Sequence, residues 1–175
     1  QLYKKAYNDY SDLDNDGALE TGYKHAIDYY GYFDSGKCYT YSTGSQRYEP
    51  AALTADKYCT AGASQWSGNF LNWATMARMD AVRKLLYGGL RSTDSSTATV
   101  LERVFLPPDA HAWAKHYVGA DLNRLTPFSV NSVAPSGTAE GRNSTMSGNA
   151  SHSISAGTKH FRNSSVQVCV GDQVR

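Results

Sequence analysis

The spacing of hydrophobic positions changes along the chain, and its clearest pattern predicts a helix from Ser67 to Tyr87. Ser67 or Asn69 can cap its start, and Gly88 with Gly89 supplies a left-handed stop. Asp80 and Lys84 are spaced to form an i,i+4 ion pair. Helical spacing places Asn72, Asp80 and Arg83 away from one face, and it brings six apolar residues to that face: Phe70, Trp73, Ala74, Ala77, Ala81 and Leu85. The pattern therefore predicts one long amphipathic helix.

Shorter patterns predict a second helix and a few strands. Pro108 to Tyr117 begins with proline and aspartate and continues with alanines, which favours a short helix. Cys38–Tyr41 and Gln46–Glu49 flank a four-residue polar turn, which is typical of a β-hairpin. Thr97–Leu106 is rich in β-formers, and Val166–Val170 alternates valines with other residues. These segments predict an α/β or irregular α+β fold with long loops.

Composition divides the chain into three parts. Residues 1–128 carry recurrent aromatic and aliphatic side chains, whereas residues 129–165 consist mostly of Ser, Thr, Gly, Ala and Asn. The middle part has too little apolar surface to offset the entropy of ordering it, so we interpret it as a loop or linker. Residues 166–175 then belong to the same domain as the first part or to one that continues it.

Charge and motif content exclude several classes of function. The chain has 17 Lys plus Arg against 16 Asp plus Glu, so it has no strong positive electrostatic field that would bind nucleic acid or an anionic membrane. It also lacks the roughly 18 consecutive apolar residues of a membrane-spanning helix. His111 and His116 do not form an HExxH motif, and GxSxG, GxxxxGK[ST] and GxGxxG motifs are absent. We therefore expect a non-enzymatic protein.

The strongest local motif is the acidic segment 12–20, which resembles the first half of a calcium-binding loop. Its alternating carboxylates and its glycine match the spacing of such loops, and this predicts a calcium site. Tyr23 stands where an EF-hand has its bidentate glutamate, so Asp9, Asp28 or water would complete the shell. The alternative interpretation is a solvated acidic turn. The predicted ligands are Asp12, Asp14, Asp16, Glu20 and the Ala18 carbonyl.

The three cysteines leave one without a partner. Cys38 and Cys59 flank a stretch that can fold back, and in an oxidising compartment we expect them to form a disulfide. Two free thiols in a cytosolic protein are the alternative. Cys169 is then expected to pair outside this chain, beyond Arg175.

Several unusual strings appear in one order over residues 3–128. They are Tyr7–Asp14, Tyr29–Asp34 with Cys38–Tyr39, Trp66–Trp73, Arg78–Lys84, Leu86–Gly89, Val100–Arg103 and Leu106–Lys115. In these strings the chain resembles the N-terminal region of PilY/PilC-type type IV pilus proteins. The resemblance implies a region similar to a von Willebrand factor A domain. Because no Asp-x-Ser-x-Ser string occurs, the metal-dependent adhesion site of such domains is not carried over.

The resemblance also implies a location and partners. It implies an adhesin exported through the periplasm to the cell surface or pilus tip, where it primes assembly with minor pilins and contacts host or abiotic surfaces. The chain is then expected to be part of a larger pilus-tip protein, with exposed Tyr and Trp residues as its contact surface. Two alternatives remain: a calcium-stabilised carbohydrate-binding module, or a structural subunit of an extracellular filament.

Overall fold

A computed structural model describes residues 2–7, 11–60, 63–106, 113–117 and 119–128, together with the backbone of 144–147 and 167–169. All structural statements below concern these residues. The predicted ligand Asp9 and the predicted helical residues 108–112 lie outside them.

The predicted hairpin is confirmed and forms the centre of the larger sheet. Strand β1 (Lys37–Ser42) pairs antiparallel with β2 (Arg47–Leu53), with Tyr41 opposite Tyr48. Strand β3 (Gln65–Ser67) adds to the other edge of β1. The hairpin therefore brings the tyrosine-rich segment beside the start of the first helix.

Three further strands complete this sheet. Strands β4 (Arg91–Asp94) and β5 (Thr99–Glu102) pair antiparallel, and β8 (Gln167–Cys169) lies between β5 and β2. Among the described strands of this sheet only the β2–β8 pair is parallel, and the strand order is β3-β1-β2-β8-β5-β4. The extended segment near Thr99 and the terminal strand are thereby confirmed, and the α/β class holds. The von Willebrand factor A-like arrangement stays a prediction.

The prediction of one long helix is wrong, because the helix divides at Met76 and Ala77. Helix α1 spans Gly68–Thr75 and helix α2 spans Arg78–Tyr87, while Met76 and Ala77 have extended backbones. The N-terminal segment pairs with the break: Ala6 N–H donates to the Met76 carbonyl (2.9 Å) and Arg78 N–H to the Lys4 carbonyl (2.9 Å). These hydrogen bonds replace the helical bonds lost there.

The ends of the two helices follow the sequence more closely. The Ser67 hydroxyl accepts a hydrogen bond from Phe70 N–H (3.3 Å), and Gly88 ends α2 with a φ of 82°. The predicted Asp80–Lys84 pair does not form. Asp80 instead accepts from the backbone N–H groups of Val104 and Ala77, and Lys84 donates to the Gly31 carbonyl.

The predicted second helix is wrong where the structure describes it. Ala114–Tyr117 is strand β6, which pairs antiparallel with β7 (Ser144–Ser147). Strand β7 lies within the segment interpreted as a loop, and the rest of 129–165 is outside the described residues. The short helix occurs later, as α3 (Leu122–Leu125). The aromatic residues Trp113 and Tyr117 favour this extended pairing over the alanine-based helical pattern.

Candidate functional site

The predicted calcium ligands lie together on the surface. One carboxylate oxygen from each of Asp12, Asp14, Asp16 and Glu20 lies within 4.8 Å of the others. The three aspartates are exposed, whereas Glu20 is buried. The motif therefore forms a compact patch of negative charge with one inward-facing member.

Backbone geometry brings these carboxylates together. Asp12 accepts hydrogen bonds from the N–H groups of Asp16 (3.2 Å) and Gly17 (3.1 Å), and Asp16 accepts one from Ala18 N–H (2.7 Å). Gly17 adopts a φ of 87°, and Asn15 one of 61°. Asparagine and glycine tolerate this left-handed region best, which explains their positions in the loop.

Glu20 joins the two ends of the loop through hydrogen bonds. Its backbone N–H donates to the Ser11 carbonyl (3.0 Å), and its carboxylate accepts from Leu13 N–H (2.5 Å). The bridge between Ser11 and Glu20 joins the two ends of the loop without flanking helices. The loop is thus not a helix-loop-helix EF-hand, in agreement with the tyrosine at position 23.

The donor set suits a hard divalent cation. Four carboxylates supply oxygen ligands of the type that Ca²⁺ prefers, and a backbone carbonyl at Ala18 would add a fifth. Asp28, predicted as a further ligand, instead pairs with Lys57 at 2.8 Å. The geometry can hold a cation if water or another oxygen completes the shell.

The disulfide between Cys38 and Cys59 is confirmed. Both residues are buried, and their Cα atoms are 5.8 Å apart. The bridge fastens strand β1 to the segment that ends with Cys59, whose N–H donates to the Arg124 carbonyl (2.7 Å). Cys169 lies on β8, between β2 and β5, and its partner stays a prediction.

Eight of the ten described tyrosines in residues 1–58 lie in the core or pack against it. Tyr23, Tyr29, Tyr32, Tyr39 and Tyr48 are all buried. Tyr23 is central to this aromatic core, and its ring lies 5.1 to 5.7 Å from the rings of four neighbours: Tyr29, Phe70, Trp73 and Tyr117. The prediction of exposed Trp contact residues is wrong, because Trp66, Trp73 and Trp113 are buried as well. Tyr3, Tyr30 and Tyr87 are the tyrosines that are exposed among the described residues.

Two asparagines of α1 hold the tyrosine segment in place. Asn69 accepts from Tyr29 N–H (2.9 Å) and donates to the Ile27 carbonyl (2.9 Å). Asn72 accepts from Phe33 N–H (2.9 Å) and donates to the carbonyls of Tyr29 and Phe33 (2.8 Å each). These side chains supply hydrogen bonds that a sheet or helix would otherwise provide.

The sequence did not identify these asparagines as structural residues. Asn72 was expected to lie away from the buried helix face, yet Asn69 and Asn72 are at most 1% exposed. The Tyr29–Asp34 string was the sequence signal for such residues, because a buried segment without regular secondary structure needs side-chain hydrogen-bond partners for its backbone. Gly31 was a second signal, since a Cβ there would lie 2.1 Å from Asn72 Oδ1.

A surface groove of about 600 Å³ lies beside this segment. Tyr30 and Lys84 contribute to its lining, and the Lys84 ammonium lies 4.5 Å from the Tyr30 ring centre. Burial lowers the pKa of Lys84, and the nearby Asp34 carboxylate opposes that shift. The Asp34 and Asp28 carboxylates of the groove pair with Lys37 and Lys57. The groove therefore combines aromatic rings with charged side chains that are already engaged.

No helix in the described part of the chain has the length and apolar content needed to cross a bilayer.

Comparisons with known proteins agree on one family. Residues 20–167 match the family model described as "PilY1 homolog, small alpha/beta domain". A type IV pilus biogenesis factor PilY1 homolog from Xylella fastidiosa (strain Temecula1 / ATCC 700964) is 46% identical over 137 residues, which cover 74% of this chain and 9% of that protein. A second protein of the same description and organism is 37% identical over 95 residues, which cover 50% of this chain and 8% of that protein. The chain thus spans less than a tenth of the length of either relative. No solved structure matches it.

Proposed function

This chain belongs to the family of PilY1 homologues, and from that premise we propose that it is a non-enzymatic module acting in pilus assembly and adhesion at the type IV pilus tip. The family model covers residues 20–167, which include the aromatic core, helices α1 and α2 and most of the six-stranded sheet. This match supports a role related to type IV pilus biogenesis. Tip location, adhesion and contact with minor pilins are the finer parts of the proposal.

The Cys38–Cys59 bridge supports the proposed export through the periplasm to the cell surface. Disulfides form and persist in oxidising compartments, and this one is buried within the fold. Constraining the 21-residue separation stabilises the folded chain by about 3 kcal/mol in the loop-entropy treatment. A chain that reached its destination reduced would lose that contribution.

The acidic loop supports a proposed calcium site at Asp12, Asp14, Asp16, Ala18 and Glu20. Clustered carboxylates repel one another, and a bound Ca²⁺ would neutralise that charge and fix the loop. Glu20 connects the loop to the fold, since it is buried and pairs with Ser11. The ion would therefore stabilise the segment that leads into the aromatic core, without a catalytic role.

The calcium proposal has a direct test in the thermal midpoint. Ca²⁺ at 100 times its Kd stabilises a one-site protein by about 2.7 kcal/mol, so Tm should rise with calcium concentration. Asp14→Asn should abolish this rise, because it removes a charged ligand. Asp94→Asn is the matched control: Asp94 is an exposed aspartate of β4, and the substitution should leave the rise intact. A Tm that is independent of Ca²⁺ in the parent chain would end the calcium proposal.

The pilus proposal is tested in cells that lack their own copy of the full-length gene. The intact gene should restore surface pili and attachment, whereas a version without residues 20–128 should restore neither. Immunogold labelling of an epitope in the intact protein should mark pilus ends. Normal piliation and attachment with the deleted version would contradict a role of this module, and labelling along the pilus shaft would contradict the tip location.

A carbohydrate-binding role has one observation in its favour. Tyr30 is 47% exposed beside the groove, where an amphipathic ring and engaged polar groups suit an uncharged ligand. Tyr30→Ala should then abolish binding on a glycan array, with Tyr87→Ala as the exposed-tyrosine control. Absence of glycan binding by the parent chain would leave the pilus proposal unaffected.

A further inference from the structure

Helix α2 leaves an apolar face uncovered. Val82, Leu85 and Leu86 are 37%, 77% and 73% exposed. Their i, i+3 and i+4 spacing places them on one side of the helix. Exposed leucines are common singly, but two adjacent leucines and a valine on one helical face form a continuous patch.

The charges around this face have one sign. Arg78 and Arg83 are partly exposed, and neither forms a salt bridge with any described residue. The one acidic residue of α2, Asp80, is 0% exposed and accepts hydrogen bonds from Val104 and Ala77. Lys84 points to the Gly31 carbonyl on the inner side. The outer surface of α2 is therefore apolar and cationic.

These observations select among possible occupants. A second copy docking helix to helix would bring Arg78 and Arg83 of one chain against the same cations of the other, which costs like-charge repulsion. An anionic bilayer is less suited, because the strength of membrane binding scales with the apolar area buried and this face offers only three aliphatic side chains. A protein helix with apolar residues at matching spacing and flanking carboxylates satisfies both the shape and the charge.

We propose that the Val82–Leu85–Leu86 face of α2 is a docking site for an acidic amphipathic helix of a separate partner protein. The three aliphatic side chains supply the buried centre of the contact, and Arg78 and Arg83 meet carboxylates at its rim. This surface goes beyond the proposed pilus role, since it specifies the chemistry of a partner and needs neither calcium nor adhesion.

Photo-crosslinking in living cells tests the proposal. The full-length protein carries p-benzoylphenylalanine at position 85 or, as the matched control, at position 19, because Leu19 is another exposed leucine at 56%. The expected result is an adduct specific to position 85 whose partner peptide has net negative charge and apolar residues at helical spacing. Equal adducts at both positions, no adduct at position 85, or adducts only with lipid, with a second copy of the chain or with another segment of the same protein, overturn the proposal.

Two variants test the chemistry of the contact. Arg78→Glu with Arg83→Glu should reduce the adduct at position 85 by about tenfold, and reversal of the identified carboxylates to lysine should restore it. Leu86→Ser should give a similar loss with an unchanged Tm, because it removes an exposed side chain. If the charge-reversed protein does not fold, the Leu86→Ser result decides. An undiminished adduct in folded Leu86→Ser protein contradicts docking on this face.

Discussion

Helices α1 and α2 follow one another in the sequence, but they have opposite relations to the fold. Every residue of α1 is buried, including Asn69 and Asn72, whereas Asp80 is the one fully buried residue of α2. The asparagines of α1 bind the backbone of the tyrosine segment, whereas Val82, Leu85 and Leu86 of α2 face solvent. Side-chain polarity alone therefore does not say which helix organises the core.

The contrast arises from the backbone groups for which each helix must supply hydrogen-bond partners. The segment from Tyr23 to Ser35 has several buried residues but no regular secondary structure, so the N–H and carbonyl groups that it buries need partners. α1 provides them from two asparagines one helical turn apart. No described segment makes a comparable demand on the outer face of α2, which is consistent with a surface that is covered by a partner.

Truncating one leucine in each helix should give the largest difference in unfolding free energy between the two helices. Leu71 is 0% exposed and Leu85 is 77% exposed. Leu71→Ala should lower the free energy of unfolding by about 4 kcal/mol, because it leaves a cavity in the core. Leu85→Ala should change it by less than about 0.5 kcal/mol. Urea denaturation measures both, and similar losses would remove the contrast between the helices.

Removal of an α1 asparagine should have the next largest effect. Asn72→Ala deletes the partner of Phe33 N–H and of the Tyr29 and Phe33 carbonyls, and we expect a loss of about 3 kcal/mol in unfolding free energy. Asn123→Ala in α3 is the control, since Asn123 is exposed and should be nearly neutral. If Asn72→Ala were as mild as Asn123→Ala in urea denaturation, the asparagines would not hold the segment.

Gly31 tests the same contact from the other side. A Cβ at Gly31 would lie 2.1 Å from Asn72 Oδ1 and 2.8 Å from Met76 Cγ, so Gly31→Ala should destabilise the chain by about 2 kcal/mol. Gly44→Ala is the matched control in the hairpin turn, where an added Cβ meets nothing within 4 Å. Differential scanning calorimetry should show a lower Tm for the first variant alone. A stable Gly31→Ala protein would mean that the loop and α1 are not in tight contact.

Alkaline pH should weaken the tyrosine core gradually. Burial raises the pKa of Tyr29 and Tyr32 to about 12, whereas tyrosines of an unfolded chain ionise at about 10. The folded chain keeps these protons between pH 10 and 12 while the unfolded chain releases them, so stability present below pH 10 is lost across that interval. Absorbance at 295 nm and near-UV circular dichroism should report ionisation together with loss of packing. Ionisation of every tyrosine near pH 10 with packing retained would contradict their burial.

Sequence patterns identified the elements that depend on local chemistry. The hairpin, the caps at Ser67 and Gly88, and the acidic loop with Asn15 and Gly17 all follow from residues within a few positions of one another. Each has a backbone requirement that only a few residue types meet. The family resemblance added the type IV pilus connection, which no local motif carries.

The remaining features depend on contacts that are distant in the sequence. Met76 and Ala77 are good helix formers, so nothing near them predicts the break; it follows from pairing with residues 4–6. The burial of Asn72 likewise depends on Tyr29 and Phe33, about forty residues earlier. Hydrophobic spacing treated Leu85 as a core residue and Asn72 as a surface residue, and tertiary contacts reverse both.

Native-state hydrogen exchange tests most directly whether α1 organises the tyrosine segment. The amides of Tyr29 and Phe33 bind asparagine side chains in a segment that lacks regular structure. They should exchange as slowly as amides inside α1, and Asn72→Ala should abolish the protection of Phe33 in a chain that is still folded. Rapid exchange of both amides in the parent chain, at the rate of an exposed loop, would contradict this account.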